Sequence, residues 1–89
     1  MSYSVRYAKS IYERQVENLP ASARAEIDAH VRSLKEHPMP EDGSAVFRVR
    51  MRTGSPLYAA RTRRFMVYHT IEDECVVIVS VLPIPQLKP

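Results

Sequence analysis

The stretch RRFMVYHTIEDECVVIVSV, Arg63 to Val81, decides how this chain is read. Its first half is rich in aromatic and β-branched residues, and the β-like character runs from Leu57 to Thr70. That span is one long strand, or two with a bulge near Arg63. Glu72-Asp73-Glu74 follows as a tight, charged connection. Val76 to Leu82 is then apolar on both alternating faces, the pattern of a central strand.

Upstream, Ala45, Phe47, Val49 and Met51 alternate with Val46, Arg48, Arg50 and Arg52. The alternation predicts a strand that buries the first set and displays the arginines. Thr53-Gly54-Ser55-Pro56 is a turn signal, and Met39 to Ser44 reads as a loop. Between Ala21 and His37 the period is helical: Ala23, Ile27, Val31 and Leu34 share a stripe, and Pro38 ends it. Arg24–Asp28, Asp28–Arg32 and Arg32–Glu36 place opposite charges four apart on its wet side. Ala8, Tyr12, Val16 and Leu19 predict a first helix, interrupted at Asn18 and Pro20. Tyr3, Val5 and Tyr7 alternate with polar residues as a short half-buried strand. The predicted class is α+β: an N-terminal strand, a helical hairpin, then a three- to four-stranded, mainly antiparallel sheet. Residues 1–85 are expected to form one domain with one modest core, and 86–89 a loose tail.

Charge is unevenly spread. Between Gly43 and Ile71 stand six arginines (Arg48, Arg50, Arg52, Arg61, Arg63 and Arg64) and no carboxylate. Seven basic and ten acidic residues lie outside that window, so the net +3 hides a basic middle and a remainder of −3. Guanidinium groups packed this densely repel one another unless something anionic meets them. Their planar fork suits phosphate oxygens, so the six are candidate nucleic-acid-binding residues. A solvated strand face is the simpler alternative.

Composition excludes several classes. One cysteine cannot make an internal disulfide, and with His30, His37 and His69 scattered there is no metal-site spacing. No cofactor is expected. The longest apolar run, Cys75 to Ile84, is broken by Ser80 and Pro83 and is too short to span a membrane. MSYSVRYAKS lacks the apolar core of a signal peptide, so a cytoplasmic protein is expected.

These segments together resemble the RelE/ParE superfamily of bacterial toxins. YSVRYAKS, LPASARAEI, FRVRMR and RRFMVYHTIEDECVVIVSV carry the resemblance, in order, from about Tyr3 to Val81. It implies a toxin neutralised by a cognate antitoxin. RelE-type members cleave mRNA in the ribosomal A site; ParE-type members inhibit DNA gyrase. Arg48 and Arg50 occupy the positions at which RelE-type members hold RNA-contacting basic residues. A further family arginine, three residues before the strand tyrosine, falls here on Phe65, with Arg64 one step away. Where the family often carries a late arginine and a terminal aromatic or histidine, this chain has Leu82-Pro83-Ile84-Pro85.

Metal-independent RNA cleavage needs a base for the 2′-hydroxyl, an acid for the leaving oxygen and cations for the developing charge. Arg48, Arg50 and Arg61 are the candidates for charge, with Tyr68 and His69 for proton transfer. The plain alternatives are a sheet-face aromatic for Tyr68 and an ordinary strand residue for His69. The expected function is thus a RelE-like, ribosome-associated endoribonuclease that binds RNA. The alternative is a toxin-fold protein without nuclease activity, either a ParE-like gyrase inhibitor or a degenerate toxin that only binds its antitoxin. The sequence leaves the oligomeric state open.

Overall fold

The acidic connection closes the two longest strands, β4 (Phe65–Glu72) and β5 (Cys75–Pro83). Asp73 and Glu74 both lie at positive φ, 50° and 61°, the backbone of a two-residue hairpin turn whose twist matches the strands it joins. The computed structural model describes residues 3–41, 44–49, 54 and 56–85. Around that hairpin, β1 (Ser4–Tyr7), β2 (Val46–Val49) and β3 (Leu57–Arg61) complete a five-stranded sheet in the order β1-β5-β4-β3-β2. β1 runs parallel to β5, and the other pairs are antiparallel. The α+β expectation holds, and β5 lies inside the sheet as its two-sided apolar pattern requires.

Helical structure covers one sheet face. Helix α1 (Ala21–Ser33) buries Ala23 and Ile27, and Leu34 just beyond its end is fully enclosed. These residues and Val16 meet Val46, Tyr58, Ala60, Phe65, Val67, Val76, Ile78 and Val81 in the core. The register explains that set: Val46, Ala60, Val67 and Val81 form one row across four strands. One irregularity makes the row possible. Tyr68 pairs with Ser80 but His69 with Ile78, so Val79 is an extra residue in β5. Strict alternation from Ile78 would bring Ser80 to the core; the bulge brings Val81 instead, at 2% exposure.

Four expectations are corrected. The first helix does not start at Ala8, whose amide donates to the Ile78 carbonyl at 2.8 Å, and Ser10 lies at φ 65°. What remains is a single π-helical turn, Tyr12–Val16, in which the Glu17 amide reaches the Tyr12 carbonyl. This turn buries Val16 and lets Gln15 accept the Val81 amide at 2.6 Å. Second, α1 stops at Ser33, and among the described residues the ion pairs are Arg6–Glu72, His37–Glu41 and Arg64–Glu26. The charges spaced four apart along α1 therefore do not pair.

Third, of the two readings of Leu57 to Thr70 the two-strand one holds, with the break at Thr62-Arg63-Arg64, but the bulge lies at Val79, opposite the Tyr68–His69 step, and not near Arg63. Fourth, β2 faces the other way from the sequence reading. Val46 is buried, whereas Ala45 is exposed and Phe47 is 45% exposed. The row Val46 joins already supplies the apolar partners, and that contact decides which side of β2 turns inward. The continuation through Arg50, Met51 and Arg52, most of the Thr53–Ser55 turn and the 86–89 tail lie outside the described residues. No helix among the described residues is long and apolar enough to cross a membrane.

Candidate nucleic-acid interface

Strand alternation sends one set of side chains to α1 and the other to the helix-free face. Phe47, Ala59, Tyr68 and Ser80 form a row on that open face, and Arg61, Met66 and Leu82 form the next. Arg61 is exposed, Tyr68 and Met66 are half-buried, and Leu82 is 45% exposed. Among the described strand residues the acid on this face, Glu72, lies at the far end of β4 and pairs with Arg6 of β1 at 3.5 Å. Arg61 therefore stands at the end of the sheet away from that carboxylate.

The six arginines do not act as one cluster. Arg48 is exposed, but it shares the strand side of buried Val46 and sits across from buried Tyr58. It leaves the edge strand on the helix side, opposite to Arg61. Arg63 is exposed in the β3–β4 hairpin. Arg64, its neighbour, is held: its backbone amide and its Nε–H donate to Glu26 of α1 at 2.7 and 2.9 Å. The Thr62 hydroxyl donates to the same carboxylate. Burial pushes the Glu26 pKa up, but the Thr62 hydroxyl, the Arg64 amide and the Arg64 guanidinium outweigh it and hold the carboxyl below its ordinary value. Arg50 and Arg52 lie outside the described residues.

His69 does not reach the open face. Its side chain is fully buried on the helix side, and its ring stacks on Tyr58 with centroids 5.4 Å apart. Nε2 lies 2.8 Å from the Pro38 carbonyl, so that nitrogen carries the proton and donates it, while Nδ1 has no partner. Burial lowers its pKa against the opposing pull of the Pro38 carbonyl, which keeps the ring neutral. His69 thus ties the exit of α1 to β4. The other histidines are also remote from Tyr68: His30 sits on α1, and exposed His37 pairs with Glu41 at 2.9 Å.

Of the proton-transfer and charge candidates, then, the open face unites Tyr68 and Arg61 and excludes Arg48, Arg64 and His69. Sequence reasoning missed Phe47, which it placed in the core. Val46 and Phe47 put apolar residues on both sides of β2, so local alternation does not decide which of them is buried. No charged cluster suitable for a metal occurs among the described residues.

The fold has close counterparts among solved structures. A chain of the archaeal RelE–RelB complex from Pyrococcus horikoshii OT3 superposes with a TM-score of 0.74 at 23% identity, over 93% of this chain and 96% of that one. The toxin–antitoxin complex RelBE2 from Mycobacterium tuberculosis gives 0.76 at 21% identity, over 94% and 100%. A double arginine-to-alanine mutant of E. coli toxin RelE in the free state gives 0.59 at 14% identity, over 93% and 84%. No protein-family model and no curated protein matches the chain. The protein has the RelE-like toxin fold.

Proposed function

We propose that this protein is a RelE-like toxin, held inactive by a cognate antitoxin, that binds RNA and blocks translation by cleaving mRNA on the ribosome. The observation that carries the reading is the pairing of this fold with exposed Arg61 and Arg63, inside a stretch of chain that holds no carboxylate. Backbone phosphates are the anions such a rim suits. In a cleavage step the 2′-hydroxyl would attack the adjacent phosphate and give its proton to solvent water. The new O–P bond would form as the bond to the 5′-oxygen breaks, and a 2′,3′-cyclic phosphate results. Arg61 would stabilise charge on the phosphoryl oxygens, and the Tyr68 hydroxyl would give its proton to the leaving oxygen. Arg48 adds positive charge at the edge strand from the helix side, and Arg64 serves by fixing the hairpin that carries Arg63. The cytoplasm is where such a target is met.

A second reading has one specific observation behind it. None of the three histidines stands on the open face, and His69 is enclosed, so Tyr68 has no imidazole beside it. That favours a toxin-fold protein that binds without cleaving, including a gyrase inhibitor. Induced expression in bacterial cells with mapping of mRNA 5′ ends separates the two. The first reading requires growth arrest with new ends inside reading frames, relieved by the antitoxin. Arrest with intact mRNA and a DNA-damage response supports the second as a gyrase inhibitor, and folded protein without any growth effect points to a degenerate toxin that only binds its antitoxin.

A further inference from the structure

Phe47 is a large aromatic side chain left 45% exposed on the open face of an edge strand. Its cross-strand partner is Ala59, and the next residue in the row is Tyr68. Strand spacing sets the backbones of Phe47 and Tyr68 about 10 Å apart. Between them Ala59 is fully buried, so the solvent-facing surface of this row is the exposed Phe47 ring and the half-buried Tyr68. Arg61, two residues on from Ala59 along β3, comes up on the same side and is exposed. A flat π-system next to a guanidinium is the combination that holds a single-stranded nucleic acid, with the base stacked on the ring and its phosphate on the cation.

From this juxtaposition we infer that Phe47 is a nucleobase-stacking residue: the row Phe47–Ala59–Tyr68 is a platform for an unpaired RNA base, and Arg61 holds its phosphate. The inference rests on the RNA reading above and deepens it. An apolar sheet face alone would suit a protein segment equally well. The charge decides for RNA here: the carboxylate on this face is remote and paired with Arg6, while the end beside Phe47 carries Arg61 without an acidic partner among the described residues. Stacking is tolerant of base identity, because every base has a π-face, so the platform positions a nucleotide rather than reading a sequence.

The test is fluorescence anisotropy of the purified full chain with two labelled single-stranded RNAs of equal length. One carries adenine throughout, and the other is abasic with the same phosphates. Stacking on Phe47 gives the adenine strand an advantage of about tenfold for the parent protein. F47A removes that advantage but keeps the salt-sensitive affinity for the abasic strand, and F47W retains it. F47L, which keeps the strand filled, serves as the second variant should F47A melt early, and it too must lose the advantage. Equal binding of both strands by the parent overturns the stacking role and leaves the RNA reading standing. Equal advantages in the parent, F47A and F47L overturn the assignment to Phe47. No binding of either strand overturns the platform and the RNA reading together. Loss of antitoxin binding in F47A without any difference between the two RNAs makes this face a protein dock, and also overturns the inference.

Discussion

Glu26, in the middle of α1, accepts both the backbone amide and the Nε–H of Arg64, which follows it by 38 positions. One carboxylate thereby pins the helix to the β3–β4 hairpin and removes one guanidinium from the basic rim. The Glu26 side chain is 15% exposed, so these charge-assisted bonds are little screened. E26A is expected to destabilise the fold by about 2 kcal/mol, in the range of bonds to charged groups. E26Q, which can still accept one bond, should cost less. Chemical denaturation checks both values. Because the folded pKa of Glu26 is depressed, its contribution is complete above the unfolded carboxylate value and fades as pH falls through the lower folded one.

His30 sets a second pH window. Its pKa is lowered to about 4, first by burial and then by His69, and its Nε2 is enclosed without a partner. The folded state therefore resists a proton that the unfolded chain accepts below its ordinary value of 6.5. Stability is full above that value and falls as pH drops from 6.5 toward about 4. After allowance for partial exposure the loss is on the order of 2 kcal/mol. H30Q should flatten this part of the stability curve in thermal melts across pH, and a curve unchanged by the substitution would show that His30 is not the source.

His69 separates a structural role from a chemical one. H69A leaves the Pro38 carbonyl without its donor and opens a hole beside Tyr58, at an expected cost of about 3 kcal/mol. Toxicity measured at a temperature where the variant is folded should survive. Unchanged stability with abolished toxicity would instead put His69 into the chemistry.

The facing of β2 yields a sharp contrast. V46D puts a charge into the Val46–Ala60–Val67–Val81 row and should prevent folding, whereas F47S on the open face should cost about 1 kcal/mol or less. Circular dichroism melts of the two variants decide it, and the reverse order of effects would restore the sequence-based facing.

What could be read in advance follows the strength of local pattern. The acidic turn between two β-rich runs marks the β4–β5 hairpin, and apolar residues at helical spacing mark α1. β2 carries apolar residues on both alternations, so its facing waits on Ala60 and Val67, which are distant in sequence. The extra residue Val79 sits in a run apolar on both sides, where a one-residue shift leaves no trace. Arg61, Arg63 and Arg64 look alike along the chain, and Glu26, one helix away, distinguishes the held arginine from the two without an acidic partner among the described residues. His69 presents an ionisable group in a strand, and its enclosure depends on Tyr58 and the Pro38 carbonyl.

That division among the arginines is the most exposed part of the account, and RNA affinity as a function of salt tests it directly. The parent, R61A/R63A and R64A would be titrated with single-stranded RNA across a salt series. Loss of two phosphate contacts should weaken R61A/R63A and reduce the slope of log affinity against log salt by about 1.4. R64A should melt earlier yet, where folded, bind with the parent's affinity and slope. A parent that binds no RNA, or an R64A protein that loses affinity and slope as much as R61A/R63A, would contradict it.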